Sequence, residues 1–161
     1  MTTVTVNLEG VPVMVTQQRV DITKLRLDQE NPRIGFYRDN QPKDRLSDVD
    51  IRFAIRNRSP NAFSKLRDSI EINNGIINPI WVGPELDGED LVIEGNTRVL
   101  VYRELAEKYP SSEEWKAIRA NVLPLGIQES QINFIRLEAR LRGATDGDAK
   151  EGVVAFRSAR R

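Results

Sequence analysis

The sequence predicts a mixed α+β domain with a small β-sheet and flanking helices. Three observations point there: an alternating apolar hairpin at the N-terminus, short β-branched runs at IINPIWVG and LVIE, and amphipathic stretches between and after them. At 161 residues the chain suits one ordinary domain with a real core.

VTVNLEG and VPVMVTQQ alternate around Gly10, the pattern of a short hairpin. VDITKLRL follows as an extended or one-turn piece. ENPRI then excludes a helix, because the residue before a proline is pushed out of the α region, so Glu30, Asn31 and Arg33 belong to a loop. Residues 36 to 60 are polar and irregular, and composition predicts a disordered arm there. SPNAFSKLRDSIEINNG reads as a helix, with a serine cap at Ser59, a proline at the first helical position, Phe63, Leu66 and Ile70 at helical spacing, and Gly75 at its end.

IINPIWVG and LVIE are predicted strands joined by the turn PELDGED. VLVYRELAEKY places Val99, Tyr102, Leu105 and Ala106 on one stripe, and SSEEWKAI opens with a capping-box pattern from Ser111 to Glu114, so two helices are expected on either side of Pro110. IRANVLP returns to extended structure. QESQINFIRLEARLRG predicts a last helix with Ile132, Ile135 and Leu141 inward, closed by Gly143. The expected domain is 1–143, with 144–161 an unassigned tail.

Lysine plus arginine equals aspartate plus glutamate at 24 each, so no global field draws the chain onto nucleic acid or membrane. DNA contact would need a local patch, and Arg52, Arg56, Arg58, Lys65 and Arg67, with Arg157, Arg160 and Arg161, are the candidates. A solvated face is the commoner meaning of such a run. No apolar run reaches the roughly 20 residues of a membrane span and the N-terminus lacks a signal-peptide pattern, so the cytoplasm is the expected compartment. Cysteine and histidine are absent, which excludes disulfides, thiolate nucleophiles, histidine-dependent triads and ordinary zinc sites. Catalysis would fall to carboxylates, hydroxyls, lysine or arginine, with magnesium as the natural metal.

In DLVIEGNTR a strand runs through Glu94 into Gly95, Asn96, Thr97 and Arg98 just where a helix starts, so unpaired backbone amides, a hydroxyl and a guanidinium fork converge on an anion site. The plainer alternative is that Asn96 or Thr97 caps the helix and Gly95 supplies the turn. A cation in the first turn opposes the helix dipole, which favours the anion reading. ENPR, GIINPI and LEARLRG taken singly are a turn, a helix-to-strand connection and an exposed Glu138–Arg142 pair.

In this order, ENPRI, GIINPIWV, LVIEGNTRVLVYREL and LEARLRG resemble the ParB N-terminal domain and the wider ParB/sulfiredoxin superfamily over roughly residues 20 to 143. The resemblance implies one nucleotide pocket of the CTP or ATP type. Arg33 would help hold phosphate, Gly75 and Asn78 would lie near the base or ribose, and Gly95 to Arg98 would cradle the phosphates. Glu138 would hold Mg2+ and Arg142 would close the pocket. The family turn usually carries two arginines where this chain has Asn96 and Thr97 before a single Arg98, and Ala139 replaces the asparagine after the helix glutamate. Sulfiredoxin chemistry is excluded by the missing cysteine. A full ParB continues into a DNA-reading helix-turn-helix, and this sequence is expected to stop where that part would begin.

Four functions follow as expectations. The first is nucleotide binding, as a switch or weak nucleotidase acting with DNA. The second is a protein-interaction module that has lost its ligand. The third is a small-molecule kinase, as in related free-serine kinases, with Glu30 as catalytic base. The fourth is a nuclease holding magnesium with Glu30, Glu94 and Glu138.

Overall fold

The computed structural model describes residues 1–30 and 47–147, with side chains of 140 and 142–147 left aside. Arg33 and Asn31, residues 36–46 of the expected arm, and the terminal arginines fall outside the described residues.

Strand β1 (Thr2–Leu8) turns at Gly10 into β2 (Val11–Asp21), the antiparallel hairpin that the alternation predicts. A 3-10 turn at Ile22–Lys24 leads into β3 (Leu25–Arg26). Helices α1 (Asp48–Arg58) and α2 (Pro60–Asn73) follow, then β4 (Ile80–Val82), β5 (Asp90–Glu94), α3 (Asn96–Lys108), β6 (Ala117–Val122) and α4 (Glu129–Gly147). The strand order is β1-β2-β6-β4-β5-β3. The pairings β4 with β6 and β3 with β5 are parallel, so the sheet is mixed. The predicted α+β class is what is found.

Alternation along the strands separates two cores. Val20, Ile80, Val82, Val92, Ile118 and Ala120 face one side and pack with Ile51 and Ala54 of α1, Phe63 and Ile70 of α2, and Val99 and Leu105 of α3. Val13, Val15 and Ile93 face the other and pack with Leu8, Leu123 and Ile135 of α4. The sheet thus carries helices on both faces, as apolar side chains on both sides of β4 and β5 require.

Four local expectations need correction. Residues 48–58 are helical because Ser47 and Asp50 form a reciprocal capping box, acidic Asp48 and Asp50 sit in the first turn, and Arg56 and Arg58 sit in the last. Residues 111–116 form no helix: Glu114 N–H donates to Ser112 Oγ at 3.3 Å, and Trp115 turns into the core edge-on to Tyr102, with ring centroids 5.3 Å apart. Ser59 makes no side-chain cap on α2, whose reversal is made by left-handed Asn74 before Gly75. Helix α4 continues past Gly143, and Leu141 is half exposed rather than inward. Ile135 is buried and Ile132 partly so, as expected.

Candidate functional site

The turn from β5 to α3 is built by packing as much as by conformation. Gly95 has φ 121°, and a Cβ there would lie 2.4 Å from Ile80 Cγ2, so only glycine fits. It occupies the N-cap position, and no side chain caps the helix. The first intrahelical bond described runs from Val99 N–H to Gly95 O at 3.0 Å, which leaves the amides of Asn96, Thr97 and Arg98 ahead of the ladder.

Neither expected cap, Asn96 or Thr97, acts as one. The buried Asn96 side chain accepts from Asp28 N–H at 3.1 Å and donates to Asp28 O at 3.0 Å, closing a two-bond clasp on the loop after β3. Asp28 is itself buried and receives Arg136 of α4 on both oxygens, Nε at 2.9 Å and Nη2 at 3.0 Å. Asn133 Oδ1 accepts from Arg136 Nη1 at 2.9 Å, and Glu30 N–H donates to Asp28 Oδ1 at 3.0 Å. Burial pushes the Asp28 carboxyl above its ordinary value, against the bonds and charge of Arg136.

Arg98 turns back. It donates to the Glu94 carboxylate behind it and to the carbonyl of Asn78, so its fork ties the 75–79 connection to the turn. Two of the sequence motifs therefore meet directly, EGNTR and GIINPI through Arg98 and Asn78, while Glu30 at the head of ENPR is tied to the turn through Asp28, which Arg136 of α4 holds from the other side. Arg136 precedes LEARLRG and was missed, as were Asp28 and Asn133. Their signal is a pairing across 108 positions, which no local spacing reveals.

Other expected residues stand apart from this convergence. Glu138 is half-buried, and no hydrogen bond or ion pair to it occurs among the described residues. Arg142 has its side chain, and Arg33 its whole residue, outside what is described. No group of three acidic residues close enough to hold a metal ion occurs among the described residues, which leaves the Glu30, Glu94 and Glu138 metal set ungathered. Gly75 lines a groove on the far side of the 75–79 connection.

The basic cluster folds inward in part. Arg52 lies 3.5 Å and Arg67 3.8 Å from the Glu104 carboxylate, and Arg56 pairs with it directly while its guanidinium covers Phe63 at 4.9 Å. These three cations hold α1 and α2 to α3. No helix among the described residues is long and apolar enough to cross a membrane.

Among solved structures the chain is similar to C-terminally truncated SbnI from Staphylococcus aureus, at 17% identity and a TM-score of 0.39, covering 68% of this chain and 31% of that one. It is also similar to the C-terminally truncated chromosome-partitioning protein ParB from Caulobacter crescentus, complexed with CTP-γ-S, at 15% identity and a TM-score of 0.47, covering 79% and 53%. It spans about a third to half the length of these two chains. No family model and no curated protein matches it.

Proposed function

We propose that the chain binds a nucleotide by its phosphates at the N-terminus of α3. The observation that carries this reading is that α3 begins without a side-chain cap at a glycine that cannot be replaced, with the 75–79 connection and the Arg136-held Asp28 loop gathered against that end. Helix amides so placed carry a partial positive charge and aim at one point, which suits a phosphate oxygen. The Asn96 side chain is committed to Asp28, so its share of the cradle is its amide. Thr97 adds a hydroxyl with no hydrogen-bond partner among the described residues. Arg98 keeps further N–H groups beyond those given to Glu94 and Asn78.

The motif resemblance alone brings Mg2+ into this reading, with Glu138 as the carboxylate that would hold it, since magnesium commonly takes one or two carboxylates plus substrate oxygens. The motif resemblance supports a CTP or ATP-type ligand and a nucleotide-dependent switch. The compartment in this reading is the cytoplasm, and DNA contact would use the basic residues of α1 and α2.

A second reading, phosphoryl transfer with Glu30 as base, is supported by one bond: the Glu30 amide donates to Asp28, whose backbone Asn96 holds at the start of α3. The nuclease reading lacks a comparable observation.

Calorimetric titration of CTP, ATP, GTP and ADP, with and without magnesium, tests the proposal on wild type and Arg98→Ala. Binding of at least one nucleotide is expected, weakened about tenfold or more in the variant through loss of a charged donor. Absence of binding by all four sinks it. Glu30→Gln then separates transfer from binding, because it removes turnover and spares affinity only if Glu30 is the base.

A further inference from the structure

Arg19 of β2 and Arg119 of β6 stand directly opposite each other in antiparallel register. Like charges in that relation repel, and neither has a carboxylate within ion-pair distance among the described residues. Backbone carbonyls hold them instead. Arg19 Nη2 donates to Glu114 O and Ala117 O, both at 3.0 Å, and Arg119 Nη1 donates to Ile76 O at 3.2 Å and Ile77 O at 3.4 Å. One nitrogen of each fork is thereby fixed, and the other N–H groups have no acceptor among the described residues.

The two forks line a groove of about 250 Å³ together with Tyr102, Glu114 and the reversal at Asn74 and Gly75. Tyr102 is braced by Trp115, and its hydroxyl lies 3.6 Å from where a Gly75 Cβ would stand, which keeps that wall open. Burial raises the Tyr102 phenol above its ordinary value, against a backbone bond from Ile76 to its oxygen, and the group keeps its O–H. Glu114 is the opposing charge. With two guanidiniums and one carboxylate the groove carries a net charge of 2 − 1 = +1.

The groove is separate from the α3 turn. β4 lies between β6 and β5, with Ile80 paired to Ala120 on one side and Trp81 to Glu94 on the other. The 75–79 connection is gripped from both sides, by Arg119 at Ile76 and Ile77 and by Arg98 at Asn78.

We propose that this groove is a second anion site, taking the carboxylate or phosphate of a small metabolite between the Arg19 and Arg119 forks with the Tyr102 hydroxyl as third donor. Two planar forks match either oxyanion bidentately, and the volume suits a group of a few heavy atoms rather than a whole nucleotide. A bound anion would also remove the repulsion between the facing arginines.

The test is titration of the isotopically labelled full chain with inorganic phosphate and, separately, succinate, following backbone amide resonances. Saturable shifts are expected at Gly75, Ala117 and Arg119 with at least one of the two probes. They should persist in Arg98→Ala, which separates this site from the α3 turn, and affinity should fall at least about tenfold in Arg119→Gln. Arg119→Lys keeps the charge and loses the fork, so it should weaken binding too, and spectral dispersion reports whether each variant is folded. The probe that binds names the oxyanion. No saturable shift with either probe, shifts confined to residues 95–98, or unchanged affinity in both folded Arg119 variants overturns the proposal.

Discussion

Asp28 shows how a single residue can organise a site without belonging to any motif. Its backbone is clasped by Asn96 and its carboxylate by Arg136, so it joins the start of α3 to α4. The carboxyl is raised from 3.8 chiefly by burial, which outweighs the guanidinium beside it. A carboxyl with a folded pKa above its unfolded one is protonated more readily in the native state. Its contribution to stability is therefore fully present below the unfolded value and is lost as pH rises through the folded value. Asp28→Asn has no such dependence at this position. The stability of wild type minus that of Asp28→Asn is expected to fall as pH rises from about 4, in urea titrations across a pH series. A difference that grows with pH over that window contradicts the raised pKa. None of this was legible locally, because Asp28 reads as one more polar residue before a proline loop, and its partners lie 68 and 108 positions away.

Helix α1 was hidden for a different reason. Its sequence buries only Ile51 and Ala54 fully and is otherwise polar, so the apolar period that marks α2 is faint. The capping box at Ser47 and Asp50 was its local signal, and the rest of its stability is tertiary. Arg52 and Arg56 of α1 and Arg67 of α2 converge on Glu104, whose side chain is 16% exposed. Glu104→Gln keeps the shape and removes the charge. It is expected to cost about 1.5–3 kcal/mol, the range for hydrogen bonds to charged groups, and to raise amide exchange in α1 more than in α3. Equal exchange in both helices would show that α1 is held by Ile51 and Ala54 without the ion network. The converse error, a helix expected at 111–116, has the same root. A capping-box pattern describes a helix start only where enough chain follows, and here Trp115 must enter the core just before β6 begins at Ala117.

At the scale of the whole molecule the sheet divides the labour of its helices. Among the described residues, α1, α2 and α3 pack on one face, while α4 covers the other with the β1–β2 hairpin. The hairpin, the buried strands and the amphipathic helices were legible because burial imprints period on sequence. The contact of EGNTR with the 75–79 connection and with the Asp28 loop is tertiary, made by Arg98, Asn96 and Arg136, and has no local imprint on the sequence. Helix α4 is therefore both a core element and the carrier of the clasp, because Ile135 lies 3% exposed in the second core and the next residue, Arg136, holds Asp28. Truncating Ile135 to alanine should cost about 2–5 kcal/mol through lost burial and the cavity left behind. The same change should weaken nucleotide binding, since a loosened α4 releases Asp28, and with it the Asn96 end of the cradle. The Arg19–Arg119 groove involves no residue of α4 and should keep its affinity for phosphate or succinate. Urea titration with calorimetry on Ile135→Ala, in conditions where it remains folded, measures both effects together. Unchanged nucleotide affinity beside a large stability loss would mean that α4 stabilises the sheet without shaping the cradle, and would confine the site to the 75–79 connection and the β5–α3 turn.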